Sequence, residues 1–386
     1  MHVALFTDTF APQVNGVATV VGNLSRELAR RGHEVTVATA SSPDTGNGDQ
    51  QARDEGYRVV RYASASLPTY KEMRIAFPTV LKSVTWALDA RPNIIHVHTC
   101  FGIGWEGVAL SRAFEVPLIG THHTFIRDYM GHVKLDIPGA DTMARRLVSS
   151  FYNRCQLVTA PSQSMADDLR TSRVTVPVEI LRNPVDVRRF TRAAELREQG
   201  RRTLGLDGPA IIYWGRVSYE KNLPALIQAT APLLQENPAA RLVIVGDGPK
   251  RLPLQTLVGT MDLDRQVLFT GRMVGDSLVA AAGAADVFAS CSLTENQPVS
   301  VIEAQAAGLP AVVFGERGMP EIVQDGSNGR VIKTGDQAAF TGALRELLSD
   351  GKERHKLAQG AQTSAQSFKI EAVVDDLLKL YERFLP

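Results

Sequence analysis

The sequence is poor in the residues that specialised scaffolds need. It has 3 cysteines in 386 residues, Cys100, Cys155 and Cys291, well separated and without a CxxC pair. That excludes a zinc ribbon or a disulfide framework and fits a reducing compartment. Neither sign of charge is in excess. Lys and Arg number 42 and Asp and Glu 41, a formal charge of +1, so the chain is no nucleic-acid-binding polycation. It has no run of ~18 apolar residues, so no membrane span is expected, although lying on a membrane surface is compatible. Residues 1–6 enter a strand pattern directly, without the basic and long apolar stretches of a secretory leader, and a cytoplasmic location is expected. A hydrophobic content of 44% with 22% charged residues is that of a folded globular chain long enough for two domains.

Within that frame, short apolar runs alternate with helical periodicity. Strands are expected at residues 3–7, 34–39, 58–62, 94–98, 117–121 and 156–160. Between the first two, Val20, Val21, Leu24 and Leu28 share one helical face, and Gly32 stands where the helix should stop. Near Asn183-Pro184 the rhythm breaks, and the arginine-rich residues 186–202 read as a linker into a second domain. The rhythm then restarts at 210–214, 241–245, 267–270, 286–289 and 311–314. The fold class is α/β, with parallel-sheet domains over residues 1–183 and 184–369. A closing segment, 370–386, carries Val374, Leu377, Leu378, Tyr381 and Leu385 on one helical face. Parallel sheets bind ligands beyond the carboxyl ends of their strands, so polar residues just after strands are the candidates.

Four such segments stand out. Asn15-Gly16 follows the first strand, where positive φ and a helix N-terminus would let a backbone approach an anion. Gly215-Arg216-Val217-Ser218-Tyr219-Glu220-Lys221 places two cations after a strand, a spacing suited to a diphosphate. Glu295-Asn296-Gln297-Pro298-Val299 leads into a short helix containing Glu303 and stopped at Gly308, with Pro298 expected at its first position. One acid at each end of that stretch suits an extended polyhydroxyl ligand. Finally, histidines gather in His96-Val97-His98 and Thr121-His122-His123. His96 and His98 should share a face, whereas His122 and His123 should not. No zinc pattern accompanies them, which favours histidines lining a cleft. Two further motifs read as decoys. Gly102-Ile103-Gly104-Trp105-Glu106-Gly107 matches a dinucleotide fingerprint but is better explained by tight strand–helix packing. Asp262-Leu263-Asp264 reads as a surface turn.

Taken together, these segments, with Val245-Gly246-Asp247-Gly248-Pro249 and Gly308-Leu309-Pro310, resemble the retaining glycosyltransferases of family 4. The resemblance implies the GT-B fold, two Rossmann-like domains facing across a cleft. It implies that Gly16, Arg216 and Lys221 meet the donor diphosphate, with Arg216 and Lys221 stabilising the leaving group. Glu303 would take the ribose, while Glu295 and the backbone of Asn296, Gln297, Pro298 and Val299 would hold the donor sugar. His123 would stand beside the transferred sugar. No metal and no cofactor beyond the sugar nucleotide is implied. Where the family often has Phe-Gly after the first glutamate, Asn296-Gln297-Pro298 stands here.

Residues 8–20, 67–74 and 121–129 are most similar to the corresponding stretches of membrane-lipid members. They imply an acceptor site at Tyr70, Arg74, Asp128 and Tyr129. Lys71, Arg74, Arg145, Arg146 and Arg154 would form either a cationic face for anionic lipid or an ordinary solvated one. The activity expected is transfer of glucose from UDP-glucose to a lipid such as diacylglycerol, with an α-linkage. A GDP-mannose-dependent mannosyltransferase is the alternative. An NAD-dependent oxidoreductase built on Gly102-Ile103-Gly104 and a non-catalytic nucleotide- or lipid-binding protein are more distant ones.

Overall fold

Nearly uninterrupted apolar strands are what a sheet covered by helices on both faces requires, and the chain builds two such sheets. The computed structural model describes residues 1–13, 15–42, 45–67, 70–77, 79–125 and 139–385. The chain divides into two units, Met1–Pro184 with Ile370–Pro386, and Val185–Lys369.

In the first unit, the strands are β1 (His2–Thr7), β2 (Glu34–Ala40), β3 (Arg58–Tyr62), an antiparallel hairpin of β4 (Ser64–Leu67) and β5 (Tyr70–Ala76), β6 (Ile94–Val97), β7 (Leu118–Thr121), β8 (Leu157–Ala160) and β9 (Val178–Ile180). Among the described residues all but the hairpin form one parallel sheet, ordered β3-β2-β1-β6-β7-β8-β9. The second unit holds β10 (Ala210–Trp214), β11 (Arg241–Val245), β12 (Val267–Gly271), β13 (Val287–Ser290), β14 (Ala311–Phe314) and β15 (Gly329–Ile332), ordered β12-β11-β10-β13-β14-β15. In each sheet the order reverses beside the first strand. The crevice of an open α/β sheet therefore falls between β1 and β6 in one unit and between β10 and β13 in the other.

The hairpin, β9 and β15 add to the strands expected from sequence. A larger difference lies in residues 186–202, which are not an open linker. Asp186 caps the short helix Val187–Phe190, and a 3-10 turn, Ala193–Leu196, and the helix Arg197–Leu204 follow. Val187, Phe190 and Ala193 are buried in the second core. Arg197 donates to the carbonyls of Gly283 and Ala285, and Arg201 to that of Ala284. Those are the last carbonyls of the helix Asp276–Ala284 and its flank, which otherwise lack partners. The arginines that read as linker polarity therefore serve another helix end.

The dinucleotide-like glycines do pack a helix against a sheet. A Cβ on Gly104 would collide with the Thr99 carbonyl, and one on Gly107 with the side chains of Val97 and Phe6. At the other end of the chain, the helix Ile370–Glu382 belongs to the first unit. It buries Val373, Val374, Leu377, Leu380 and Tyr381. Arg31 ties it down, donating to the Asp375 carboxylate and to the Glu371 carbonyl. Leu377 is completely buried. Leu377→Ala should cost about 2–5 kcal/mol of stability, read as a lower urea midpoint with faster amide exchange in the first sheet. An unchanged midpoint would mean that this helix is no part of that core.

Candidate active site

Each unit carries its polar residues at the switch point of its own sheet. In the second unit, Gly215 (φ +149°) turns the chain out of β10. Glycines allow the loops after β10 and β11 to pack closely there, since a Cβ on Gly246 would strike the Gly215 carbonyl and one on Gly248 that of Val217. Arg216 follows, and Tyr213 donates its hydroxyl to the Arg216 carbonyl at 3.2 Å. The 3-10 turn Tyr219–Lys221 then presents Lys221, whose ammonium lies 2.5 Å from Glu295 Oε1, on the loop after β13. Asn222, at φ +50°, donates to the Cys291 carbonyl and joins the same two loops. The sequence-predicted Arg216, Lys221 and Glu295 are thus carried on neighbouring loops around the β10–β13 crevice. Burial lowers the Arg216 pKa, with the Glu220 carboxylate working against that.

Asn296 and Gln297 are buried, and Pro298 caps the helix Val299–Ala306 instead of occupying its first position. With ψ at 118°, Pro298 stays extended, which suits a residue whose carbonyl opens the first helical turn. Gly308, at φ +80°, ends that helix as expected. Inside it, Glu303 Oε2 accepts a 2.9 Å hydrogen bond from Trp214 Nε1, the last residue of β10. Burial raises the Glu303 pKa from 4.5 to about 7, against the pull of that bond. Trp214 was not among the sequence candidates; its place at the end of a strand feeding the Gly215 turn was the available signal.

In the first unit, Asn15 is extended (φ −154°) and its side chain caps the helix Gly16–Arg30 by accepting from Ala18 N–H. Gly16 does not adopt positive φ, which corrects the reason given for a glycine there. A Cβ on Gly16 would meet nothing within 4 Å; the chain itself leaves that approach open. Asp8, also absent from the candidate list, locks the crevice. Its carboxylate accepts from the Thr99 hydroxyl at 2.5 Å and from Ile103 N–H at 3.2 Å. Burial raises its pKa. The N-terminus of the helix Gly102–Phe114 therefore already faces a carboxyl group of the protein, and the fingerprint glycines are spent on packing. A pyrophosphate has no place there.

The histidines divide as their alternation demands. His96 and His98 stack with centroids 4.2 Å apart, and His98 Nδ1 lies 2.9 Å from His123 Nε2. His122 turns the other way, to the Tyr152 hydroxyl at 3.2 Å. Of the expected acceptor residues, Arg74 donates to Ser64 and Ser66 within its own hairpin. Tyr70 is placed by its position in β5, and Asp128 and Tyr129 lie outside the described residues. The Asp262–Asp264 motif is a turn, with Asp262 at φ +56° ahead of β12.

Two parallel-sheet units with polar loops at both switch points define a GT-B protein. The Glycosyltransferase Family 4 description matches residues 14–189 and Glycosyl transferases group 1 matches residues 197–364; the chain belongs to glycosyltransferase family 4. It is 29% identical to the alpha-monoglucosyldiacylglycerol synthase of Streptococcus pneumoniae, over 95% of this chain and 83% of that one. It is 28% identical to the GDP-mannose-dependent alpha-mannosyltransferase of Mycolicibacterium smegmatis, over 100% and 98%. The fold matches that of Anabaena HepE in complex with UDP-glucose, with a TM-score of 0.79 at 18% identity over 99% of both chains.

The raised Glu303 pKa has a testable sign. Between pH 4.5 and about 7 the unfolded chain releases this proton while the folded carboxyl keeps it, so stability falls as pH rises through that window. Glu303→Gln lacks this loss. Its melting temperature relative to the parent should rise from pH 5 to pH 8, and parallel profiles would show that the carboxyl is not held neutral.

Proposed function

We propose that this enzyme is a retaining hexosyltransferase that moves glucose from UDP-glucose to a lipid acceptor such as diacylglycerol and forms an α-glycosidic bond. The observation that carries the reading is the charged group at the β10–β13 crevice: Arg216, the Lys221–Glu295 pair at 2.5 Å, and Glu303 held by Trp214. A sugar nucleotide needs cations for its diphosphate and acceptors for its hydroxyls, and these residues supply both. In this reading Arg216 and Lys221 bind the diphosphate and stabilise the charge that grows on it as the glycosidic bond breaks. Gly16 brings a backbone amide to the same group. Glu303 accepts from the ribose hydroxyls. Glu295 and the backbone of Asn296, Gln297, Pro298 and Val299 hold the sugar, with His123 beside it. The leaving diphosphate oxygen accepts the acceptor's proton on the same face. No metal is needed, because the two cations do its electrostatic work.

The lipid acceptor is supported by the likeness to the pneumococcal alpha-monoglucosyldiacylglycerol synthase. Peripheral attachment to a membrane from the cytoplasmic side fits the helix Ala140–Tyr152, which exposes Met143 and Leu147 near Arg146. Among the described residues no helix is long and apolar enough to cross a membrane. Arg145 is engaged by Asp141, and Arg154 covers the face of Trp105. The cationic character of this face therefore rests on fewer side chains than the sequence offers. The mycobacterial relative supports a second reading, in which GDP-mannose is the donor.

The test is a turnover screen of UDP-glucose, UDP-galactose and GDP-mannose, with and without diacylglycerol in anionic vesicles, following released nucleoside diphosphate. Release that needs UDP-glucose and the lipid together is expected. Release with GDP-mannose alone would move the chain to the second reading, and release indifferent to lipid would move the acceptor to a soluble molecule. Binding without release from any donor would overturn the enzyme reading. Lys221→Ala and Glu303→Ala should each lower turnover by ~10²-fold or more, and turnover should survive EDTA. Near-normal rates in both variants would sink the site assignment, and loss of turnover with EDTA would sink its metal independence.

A further inference from the structure

The histidines of the first unit form a chain in which each proton has an assignable place. Burial lowers the pKa of His96 and His123 to about 3 and holds His98 well below its ordinary value, so all three rings are neutral. A neutral imidazole has one donor and one acceptor nitrogen. His96 Nε2 lies 2.6 Å from Thr121 Oγ1, which lies 2.6 Å from Thr159 Oγ1. The Thr159 hydroxyl donates to the Gly120 carbonyl. Thr121 then donates to Thr159, and His96 Nε2–H donates to Thr121. His96 Nδ1 is left to accept from the Tyr381 hydroxyl at 2.6 Å. Tyr381 can donate there because burial keeps its phenol protonated. His96 is thereby fixed at both nitrogens and forms a rigid plate on which the His98 ring stacks.

His98 has one nitrogen engaged, Nδ1, at 2.9 Å from His123 Nε2, while its buried Nε2 has no partner among the described residues. If Nε2 carried the proton, an N–H would be buried without an acceptor. If Nδ1 carries it, only a lone pair goes unused. Orphaned buried N–H groups are the rarer defect. His98 therefore donates from Nδ1, and His123 Nε2 accepts. His123 then bears its own proton on Nδ1, the nitrogen that His98 does not engage.

We propose that His98 is a positioning residue that locks His123 in its Nδ1–H tautomer, so that His123 meets substrate as a hydrogen-bond donor and not as a base. This rests on the reading above, in which His123 stands beside the transferred sugar. A donor there suits a sugar hydroxyl oxygen, and it leaves the acceptor's proton to the leaving diphosphate.

The experiment is ring-nitrogen NMR of the full-length protein labelled with ¹⁵N-histidine, with the His123 signals identified by their loss in His123→Gln. A protonated Nδ1 and a bare Nε2 at neutral pH are expected. A protonated Nε2, or a charged ring, overturns the proposal whatever the activity. In His98→Leu the His123 pattern should become a mixture of tautomers, with kcat for the donor found in the turnover screen ~10–100-fold lower and KM changed less than ~3-fold. His98→Gln, which keeps a donor, should recover part of kcat. An unchanged His123 pattern in both variants overturns the role of His98. The expected tautomer together with full turnover by His123→Leu, which has no donor, overturns the donor role along with the site reading, without touching the assignment of the donor nucleotide.

Discussion

A parallel sheet places its ligand where the strand order reverses, and in this chain both reversals fall beside the first strand of a unit. Everything polar that matters follows from that. The loops after β1, β6 and β7 carry Asp8, His98 and His123, and those after β10 and β13 carry Arg216, Lys221 and Glu295. Adjacent parallel strands bring these loops within side-chain reach although they are far apart in sequence; Lys221 and Glu295 pair across 74 positions. Close approach of the loops also sets the local composition. Glycine is required at 246 and 248 because a backbone carbonyl stands where a side chain would begin.

The two units handle buried polarity in opposite ways. The first disfavours charge in its crevice by burial. Burial lowers the pKa of His96, His98 and His123, its hydroxyls form donor chains, and burial raises the pKa of the Asp8 carboxyl. Such an interior offers directional donors and acceptors, which suit uncharged hydroxyl groups. The second concentrates charge at Arg216, Lys221, Glu220 and Glu295. A field of that kind is suited to phosphate, and it is screened less than a surface pair would be. The two crevices thus differ in electrostatic character.

Much of this was legible in the sequence because it rests on local rules. Period-2 and period-3.6 patterns mark most strands and the helices Gly16–Arg30 and Ile370–Glu382, and Gly308 and the Asp262 turn sit where their φ values require. The alternation rule placed His96 and His98 together and sent His122 and His123 apart. What was not legible depends on partners distant in sequence. Arg197 and Arg201 look like linker charge until the helix end they cap is known. Asp8 and Trp214 carry no motif, and their importance comes from Thr99 and Ile103 in one case and Glu303 in the other. The glycine at 16 was expected for its φ, whereas its φ is not positive and a Cβ there would meet nothing within 4 Å.

The Lys221–Glu295 pair links the two demands that a sugar nucleotide makes. In the proposed reading the lysine must meet a diphosphate and the glutamate must meet sugar hydroxyls, and the two also meet each other at 2.5 Å. Each partner thereby keeps the other from being buried unpaired, which a half-buried charge requires. A diphosphate offers the lysine more negative charge than one carboxylate does, so in that reading it would compete with Glu295 for Lys221 and leave the Glu295 oxygens open. Hydroxyls of the attached sugar are then the nearest replacement donors. A free diphosphate would leave the glutamate without a partner, and a free sugar would do the same to the lysine. In that reading only the intact donor satisfies both, and the ion pair would disfavour either fragment bound alone.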